Sequence, residues 1–413
     1  MGRETLVTEP GPAPPEAQQR TTTGQRFWRE LATGSAMVTL LSVVLALVIG
    51  ALLIIVSDPR VQDAASYFFS RPSDTFSAAW QSASSAYAAL FQGSLINFQE
   101  YSIGRALRPF AETLTYATPL IAAGLAVALP FRAGLFNIGA EGQIVLGAIF
   151  AGYVGFAIDL PIVIHVAAAI VAALIGGAIW AGIAGVLKAK TGAHEVIVTI
   201  MLNNVARFLI VYLLATSMFQ RPGRADPISP FVYESAELPR FFAGTRLHVG
   251  FLLAILAAAF VWWLLERGTL GFRLRAVGHN PNAATTAGMS VTGTYTAVFL
   301  IAGALAGLAG ASLALGTERH LTPGISGGLG FDAITVALLG RSNPWGTVAA
   351  GILFGALRAG GVTMQARTGT PIDIVLVVQA LIVLFIAAPP LVRAIFRIKV
   401  RAPEPVTTAA KGW

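Results

Sequence analysis

Apolar and polar positions in this chain segregate into long blocks rather than into short amphipathic periods. A helix needs about 20 mostly apolar residues to cross a bilayer. Blocks of that kind, or slightly shorter, fall near 34–56, 114–131, 137–157, 161–186, 194–217, 249–265, 291–316, 328–340, 345–358 and 371–392. They predict an all-α, polytopic integral membrane protein with about ten spans. Two of them, 328–340 and 345–358, are short: thirteen helical residues reach only about 20 Å against a hydrocarbon core of about 30 Å. The turn LGRSNPWG separates them. Short, interrupted spans characterise transporters whose substrate crosses near the midplane. The stretch FRAGLFNIGAEGQ, 131–143, is the matching irregular region of the first half, which suggests a two-half pseudo-repeat.

Composition strengthens this reading. Of 413 residues, 55% are hydrophobic and 12% charged, against about 25% charged in a soluble globular domain. Mean hydropathy is +0.71. There is no cysteine, which removes disulfides, thiol catalysis and thiolate metal sites. Five scattered histidines give no metal site.

The net charge of +8 reflects loop lysines and arginines, not a nucleic-acid surface. All four lysines and most of the short-loop arginines, including Arg132, Arg267, Arg273 and Arg341, fall on one side if the N-terminus is cytoplasmic. The opposite set lies mostly in two long segments, 57–113 and 218–248, which weigh less in orientation. The expected organisation is a disordered cytoplasmic tail over 1–30, a transmembrane domain over 31–395 and a cytoplasmic tail over 396–413. Segments 57–113 and 218–248 are expected as extracytoplasmic loops and 267–290 as a cytoplasmic loop.

Polar residues inside apolar sequence are the candidates for chemistry. Asn137 and Glu141 share a helix face at i,i+4, whereas Gln143 lies about 200° from Glu141 at roughly 100° per residue. The helix is therefore buried all round or broken by its glycines. A charge facing lipid at mid-depth costs at least about 2.5–3.5 kcal/mol, so Glu141 faces protein or water. Three roles are open for these residues: locking helix ends, lining a substrate path, or a contact at the cytoplasmic edge. Asn203, Asn204 and Arg207 form a second candidate patch inside the span 194–217, again either interhelical or path-lining. Asp332 is the other intramembrane carboxylate. Phe136 and Phe331 offer aromatic faces.

The chain carries no energy source of its own. A phosphate-binding loop requires a Gly-Lys pair, but the lysines follow Leu187, Ala189, Ile398 and Ala410. No nucleophile-elbow or zinc-protease motif is present either. The basic loop RGTLGFRLRAVGHNPNAATTAGMSVTG, 267–293, reads as a docking surface for a cytoplasmic partner. Within it, GHNPNAA predicts a turn and then a short helix, with Pro281 as first helical residue.

Four segments in this order, FRAGLFNIGAEGQ, GAHEVIVTIMLNN, LRAVGHNPNAATTAGMSV and GFDAITVALLGRSNPWGTVAAGILFGAL, resemble permeases of bacterial ABC importers of the branched-chain amino acid/ribose type. The likeness is strongest to the nucleoside and simple-sugar permeases. It implies a non-enzymatic subunit of the plasma (inner) membrane with both termini cytoplasmic. It also implies partners: an ABC ATPase that carries ATP and Mg, a second homologous permease in a heterodimer, and an extracytoplasmic substrate-binding lipoprotein. The substrate class it implies is nucleosides, purine nucleosides foremost, or a related simple sugar. The coupling segment maps onto Gly278, Asn280, Pro281, Ala283, Ala284, Ala287 and Gly288, with Arg275 beside it. The chief alternative is an ion- or proton-coupled secondary transporter or channel, for which Glu141 and Asp332 are the carboxylates on offer.

Overall fold

The computed structural model describes residues 35–397; the expected tails over 1–30 and most of 396–413 lie outside them. Fourteen helices carry the argument: α1 Ser35–Ser57, α2 Pro72–Ser94, α3 Arg108–Arg132, α4 Ala140–Ala157, α5 Ile162–Thr191, α6 Glu195–Leu214, α7 Gly250–Glu266, α8 Thr269–His279, α9 Pro281–Thr286, α10 Val291–Ala311, α11 Leu329–Leu339, α12 Pro344–Thr368, α13 Asp373–Ala387 and α14 Pro389–Ile395.

Among the described residues, seven helices are long and apolar enough to cross a membrane, and two bent pairs raise the number to nine. With the shorter α11, each of the ten expected spans corresponds to a helix. Two differ from expectation in shape. The segment 345–358 extends to Thr368, making α12 a helix of 25 residues. Arg358 ends the apolar run in the sequence, yet the helix runs on through it, and Asp332 stands 3.4 Å from its guanidinium. The segment 371–392 is bent by 95° between α13 and α14, where Pro389 and Pro390 cannot continue a helix.

The segment 57–113, expected as one loop, holds α2 and the short helix Pro59–Ser66. Serine and alanine dominate α2, so its apolar signal is weak. It packs on α12, where Leu90 meets Gly360 and Gly93 meets Thr363.

Burial ranks the helices. In α3 and α10, 83% of the apolar window is buried inside the chain, but only 22% in α1 and α6. The centre is therefore α3, α4, α10 and α12, and α6 presents a broad outer face. Central packing depends on missing side chains. Gly177 of α5 lies against the backbone of Gly303, and Gly307 touches both Gly147 and Ala173. Any Cβ at these sites would overlap a neighbouring backbone, so small residues set the approach of α4, α5 and α10. Past Ala311, α10 widens into a π turn, Ser312–Thr317, where Gly316 abuts the buried His248 imidazole. A second core joins α1, α2, α12 and α13 around Ala46, Ala86, Met364 and Val378.

The two ends of the bundle are distinguishable. Arg132, closing α3, donates from Nε to the carbonyl of Ser342, just before α12. The last turn of α12 lies at the other end, about 37 Å away at 1.5 Å per residue. There Thr368 shares a cavity with Ser57 and Asp58 at the end of α1.

Candidate functional site

Between α3 and α4 the backbone leaves the helix for seven residues. Gly134 makes the turn at φ +70°, a conformation open to glycine and costly for a side chain. The amides beyond it are spent on holding this break. Asn137 donates from Nδ2 to Ala126 O at 3.2 Å and to Gln143 Oε1 at 3.0 Å. Its Oδ1 accepts from Gly139 N at 3.1 Å and Gln143 Nε2 at 2.9 Å. Asn203 reaches in from α6: Nδ2 donates to Ile138 O at 2.8 Å and Oδ1 accepts from Gly142 N at 2.9 Å. All three amide side chains are buried. Unpaired polar groups would be costly there.

Glu141 spans the two halves of the chain. It accepts from Ser326 Oγ at 2.6 Å, Gly328 N at 3.2 Å and Gly330 N at 2.7 Å. Those backbone donors open α11, so the carboxylate sits at the positive end of that helix and takes up its unsatisfied N–H groups. Gly330 is in backbone contact with Glu141, with no space for a side chain.

One turn further, Asp332 pairs with Arg358 Nη1 of α12 at 3.4 Å. The Arg358 guanidinium lies 6.0 Å from the ring centre of Tyr116 in α3, and Arg246 lies 5.6 Å from the same ring. Arg246 also donates to Glu112 at 2.6 Å. Beside this group is a cavity of about 260 Å3, bounded by Tyr116, Leu313, Glu318, Thr322, Ser326 and Arg358 among others.

The second expected patch is split. Asn203 turns into the bundle, while Asn204 and Arg207 lie on the exposed face of α6. The Asn204 amide donates only to Ile200 O of its own helix, at 3.2 Å. Arg207 lies 5.6 Å from the Phe208 ring. Among the described residues it has no carboxylate partner. Phe136 and Phe331 are both about half exposed, at 53% and 51%; Phe136 packs edge-on against Phe131 at 5.1 Å.

The 267–293 loop folds as α8 and α9 with a break at Asn280, whose backbone is extended at φ −156° and ψ 100°. Asn280 Oδ1 accepts from Ala283 N at 3.1 Å, capping α9, and Pro281 is its first residue. Ala284 anchors α9, whereas Pro281, Ala283, Ala287 and Gly288 are exposed. Arg275 donates to the carbonyl of Leu265 at the end of α7. Gly278 lies on the backbone of Arg132 and Ala133, where a Cβ would come within 2.8 Å of the Ala133 carbonyl carbon. The α8–α9 corner thus rests on the first residues of the helix break. Arg132 ties that corner to Ser342, and Asn343 caps α12 through Trp345 N at 3.0 Å and Gly346 N at 3.2 Å.

Sequence reasoning used Arg132 only as a marker of one side and counted Arg358 among the extracytoplasmic arginines, and it singled out neither of them, nor Tyr116 or Ser326, as a site residue. Arg358 was the accessible one: it is a cation within reach of an apolar helix that already carried Asp332 on its neighbour. The others are ordinary residue types whose importance arises from tertiary contact.

Comparison with known proteins gives the chain's family. A family model described as "Branched-chain amino acid transport system / permease component" matches residues 110–387. A guanosine ABC transporter permease of Bacillus subtilis is 39% identical over 358 residues, covering 85% of this chain and 93% of the relative. A glucose ABC transporter permease of Haloferax volcanii is 38% identical over 287 residues, 67% of this chain and 75% of the relative. A nucleoside ABC transporter permease of Lactococcus lactis is 33% identical over 290 residues, 68% and 79% respectively. No solved structure matches. The match covers the helix break, the α8–α9 corner and α11–α12 together, and the chain belongs to this family of multi-pass ABC transporter permease components.

Proposed function

We propose that this chain is the membrane-spanning permease of an ABC importer that carries nucleosides, purine nucleosides foremost, or a related simple sugar. The observation that carries the reading is the α8–α9 corner. It is a short, capped, mostly exposed helix seated on backbone that leads directly into the helix break. Such an element transmits movement of a docked partner into the bundle as a rigid body. The printed activities of the guanosine, nucleoside and glucose relatives support the substrate class.

ATP and Mg belong to a separate ATPase in this reading, and a substrate-binding lipoprotein delivers the solute from outside. The end bearing the α8–α9 corner is cytoplasmic. The start of α1 and the end of α14 lie toward it, which supports cytoplasmic termini and a bacterial inner-membrane location. A second, homologous permease covers the α6 face, where Arg207 would otherwise meet lipid at a cost of at least about 2.5–3.5 kcal/mol. Asn137, Gln143 and Asn203 hold the break, Glu141, Phe331, Asp332 and the half-exposed Phe136 flank the route, and Asn204 and Arg207 belong to the face the second permease covers.

Uptake of labelled guanosine into proteoliposomes tests the assignment. The complete complex is supplied with ATP in one arm and with a proton or sodium gradient in the other. ATP-dependent uptake without a gradient is expected. Gradient-driven uptake by the chain alone would overturn the reading.

A further inference from the structure

Three separate parts of the chain send polar groups into the 260 Å3 cavity. α3 contributes Thr115 and Tyr116, the connection 318–328 contributes Glu318, Thr322 and Ser326, and α12 contributes Arg358. Arg358 lies inside a span-length helix and meets one carboxylate at 3.4 Å, which is long for a charge-assisted bond. A guanidinium has five donors, so most of its capacity is unspent on protein. A cation held that deep is expensive and marks a functional position. The charges around the cavity are the guanidiniums of Arg358 and Arg246 against the carboxylates of Asp332, Glu318, Glu141 and Glu112. That excess of negative charge disfavours phosphates and other anions. Convergent hydroxyls with one donor-rich cation and one acceptor-rich carboxylate instead match neighbouring hydroxyl groups on a neutral ring, each of which both donates and accepts. Leu313, Ile325 and Leu329 supply the apolar side that a ring's C–H face needs.

We propose that this cavity is the permease's own subsite for the vicinal hydroxyls of the transported solute, with Arg358 donating to them and Glu318 accepting from them. The inference rests on the importer reading above. The hydroxylated ring is either the ribose of a nucleoside or a free aldose. The volume suits one sugar ring, smaller than the roughly 300–1,000 Å3 usual for drug-sized ligands, so the base of a nucleoside stays outside the cavity. Ser326 serves both sites: it lines the cavity, and it donates to Glu141 at 2.6 Å. Occupancy is thereby felt at the entrance to α11, the helix Glu141 holds.

The test uses the complete complex in proteoliposomes with ATP and the substrate-binding partner. Uptake of guanosine is compared with that of 2′-deoxy- and 2′,3′-dideoxyguanosine, and ribose and glucose form a separate arm. Glu318→Gln and Arg358→Met are measured beside the wild type, with rates normalised to the intact complex recovered. Glu318 is on the exposed rim, so its variant folds even if the Arg358 variant does not. A preference for the hydroxylated substrate that falls about tenfold or more in Glu318→Gln supports the site, since one hydrogen bond to a charged group is worth about that factor. The arm in which the fall appears tells nucleoside from free sugar. Variants that transport with the wild-type preference overturn the subsite and leave the importer standing. A wild-type complex that moves neither class of solute overturns the importer reading and the subsite with it.

Discussion

Glu141 is accommodated inside the bundle because the N-terminus of α11 meets it with two backbone donors and the Ser326 hydroxyl. Glu141→Ala removes all three bonds and is expected to destabilise by about 1–3 kcal/mol for each donor left buried and unpaired. Glu141→Gln retains one acceptor and should cost less. Thermal unfolding in detergent ranks the two, and equal stability of wild type and the alanine variant would contradict the lock. His248 makes a separate prediction. Burial first, and then the nearby Arg240 charge, push its pKa down from the ordinary 6.5 to about 4. A folded pKa below the unfolded one means that the unfolded chain takes up protons first, so stability is full above about pH 6.5 and falls as pH drops toward 4. Replacing His248 by Gln should flatten that acid limb of unfolding temperature against pH. At this scale the sequence displayed the problem but not its solution. Asn137, Glu141 and Gln143 stand out against apolar flanks, yet the partners of Glu141 are 185 to 189 positions away. Adjacent Asn203 and Asn204 look equivalent in sequence, but the roughly 100° between them on α6 turns one into the bundle and leaves the other exposed.

Among the elements, the α8–α9 corner connects to both irregular regions. Gly278 bears on Ala133, and Arg132 reaches Ser342, whose neighbour Asn343 caps α12. The turn between α11 and α12 holds Arg341 and Ser342 at φ 54° and 52°, a region non-glycine residues occupy at a cost of order 1–3 kcal/mol, so surrounding contacts maintain it. Arg132→Ala is expected to lower transport per ATP hydrolysed several-fold while leaving the assembled complex intact; uptake and phosphate release measured on one preparation give the ratio. An unchanged ratio would remove Arg132 from the linkage. Element identity was mostly legible: long apolar runs report helices, and GHNPNAA reports a capped break because Asn and Pro have fixed preferences there. α2 was hidden because a Ser/Ala-rich helix relies on the glycines of α12 for its contacts. The true length of α12 was hidden because Arg358 looks like an end until Asp332 is beside it.

The whole molecule has a central bundle almost sealed within the chain and an α6 face left open. On that face Arg207 lies among Met201, Val205 and Phe208. The chain contains no cysteine, so Met201→Cys reports its own surroundings without background. Thiol labelling of that position should be slow in the assembled complex and fast in the chain alone. Rapid labelling in both would place the second permease elsewhere. Arg207→Leu should reduce the amount of complex recovered if the charge meets a polar group of the partner. The number of long apolar helices was legible from the sequence, whereas the open face was not, since α6 is as apolar in sequence as the buried helices.

The most direct measurement is substrate-stimulated ATP hydrolysis by the complete complex in proteoliposomes, for wild type, Asn280→Ala and Pro281→Gly. Loss of the Asn280 cap costs a helix about 0.5–2 kcal/mol, which is severe for a six-residue helix whose one buried residue is Ala284. Wild-type hydrolysis that rises with loaded binding protein, and a rise that disappears in both variants while the complex still assembles, is the predicted result. Undiminished stimulation in both variants would contradict the account, because the α8–α9 corner would then not carry the signal between ATPase and membrane.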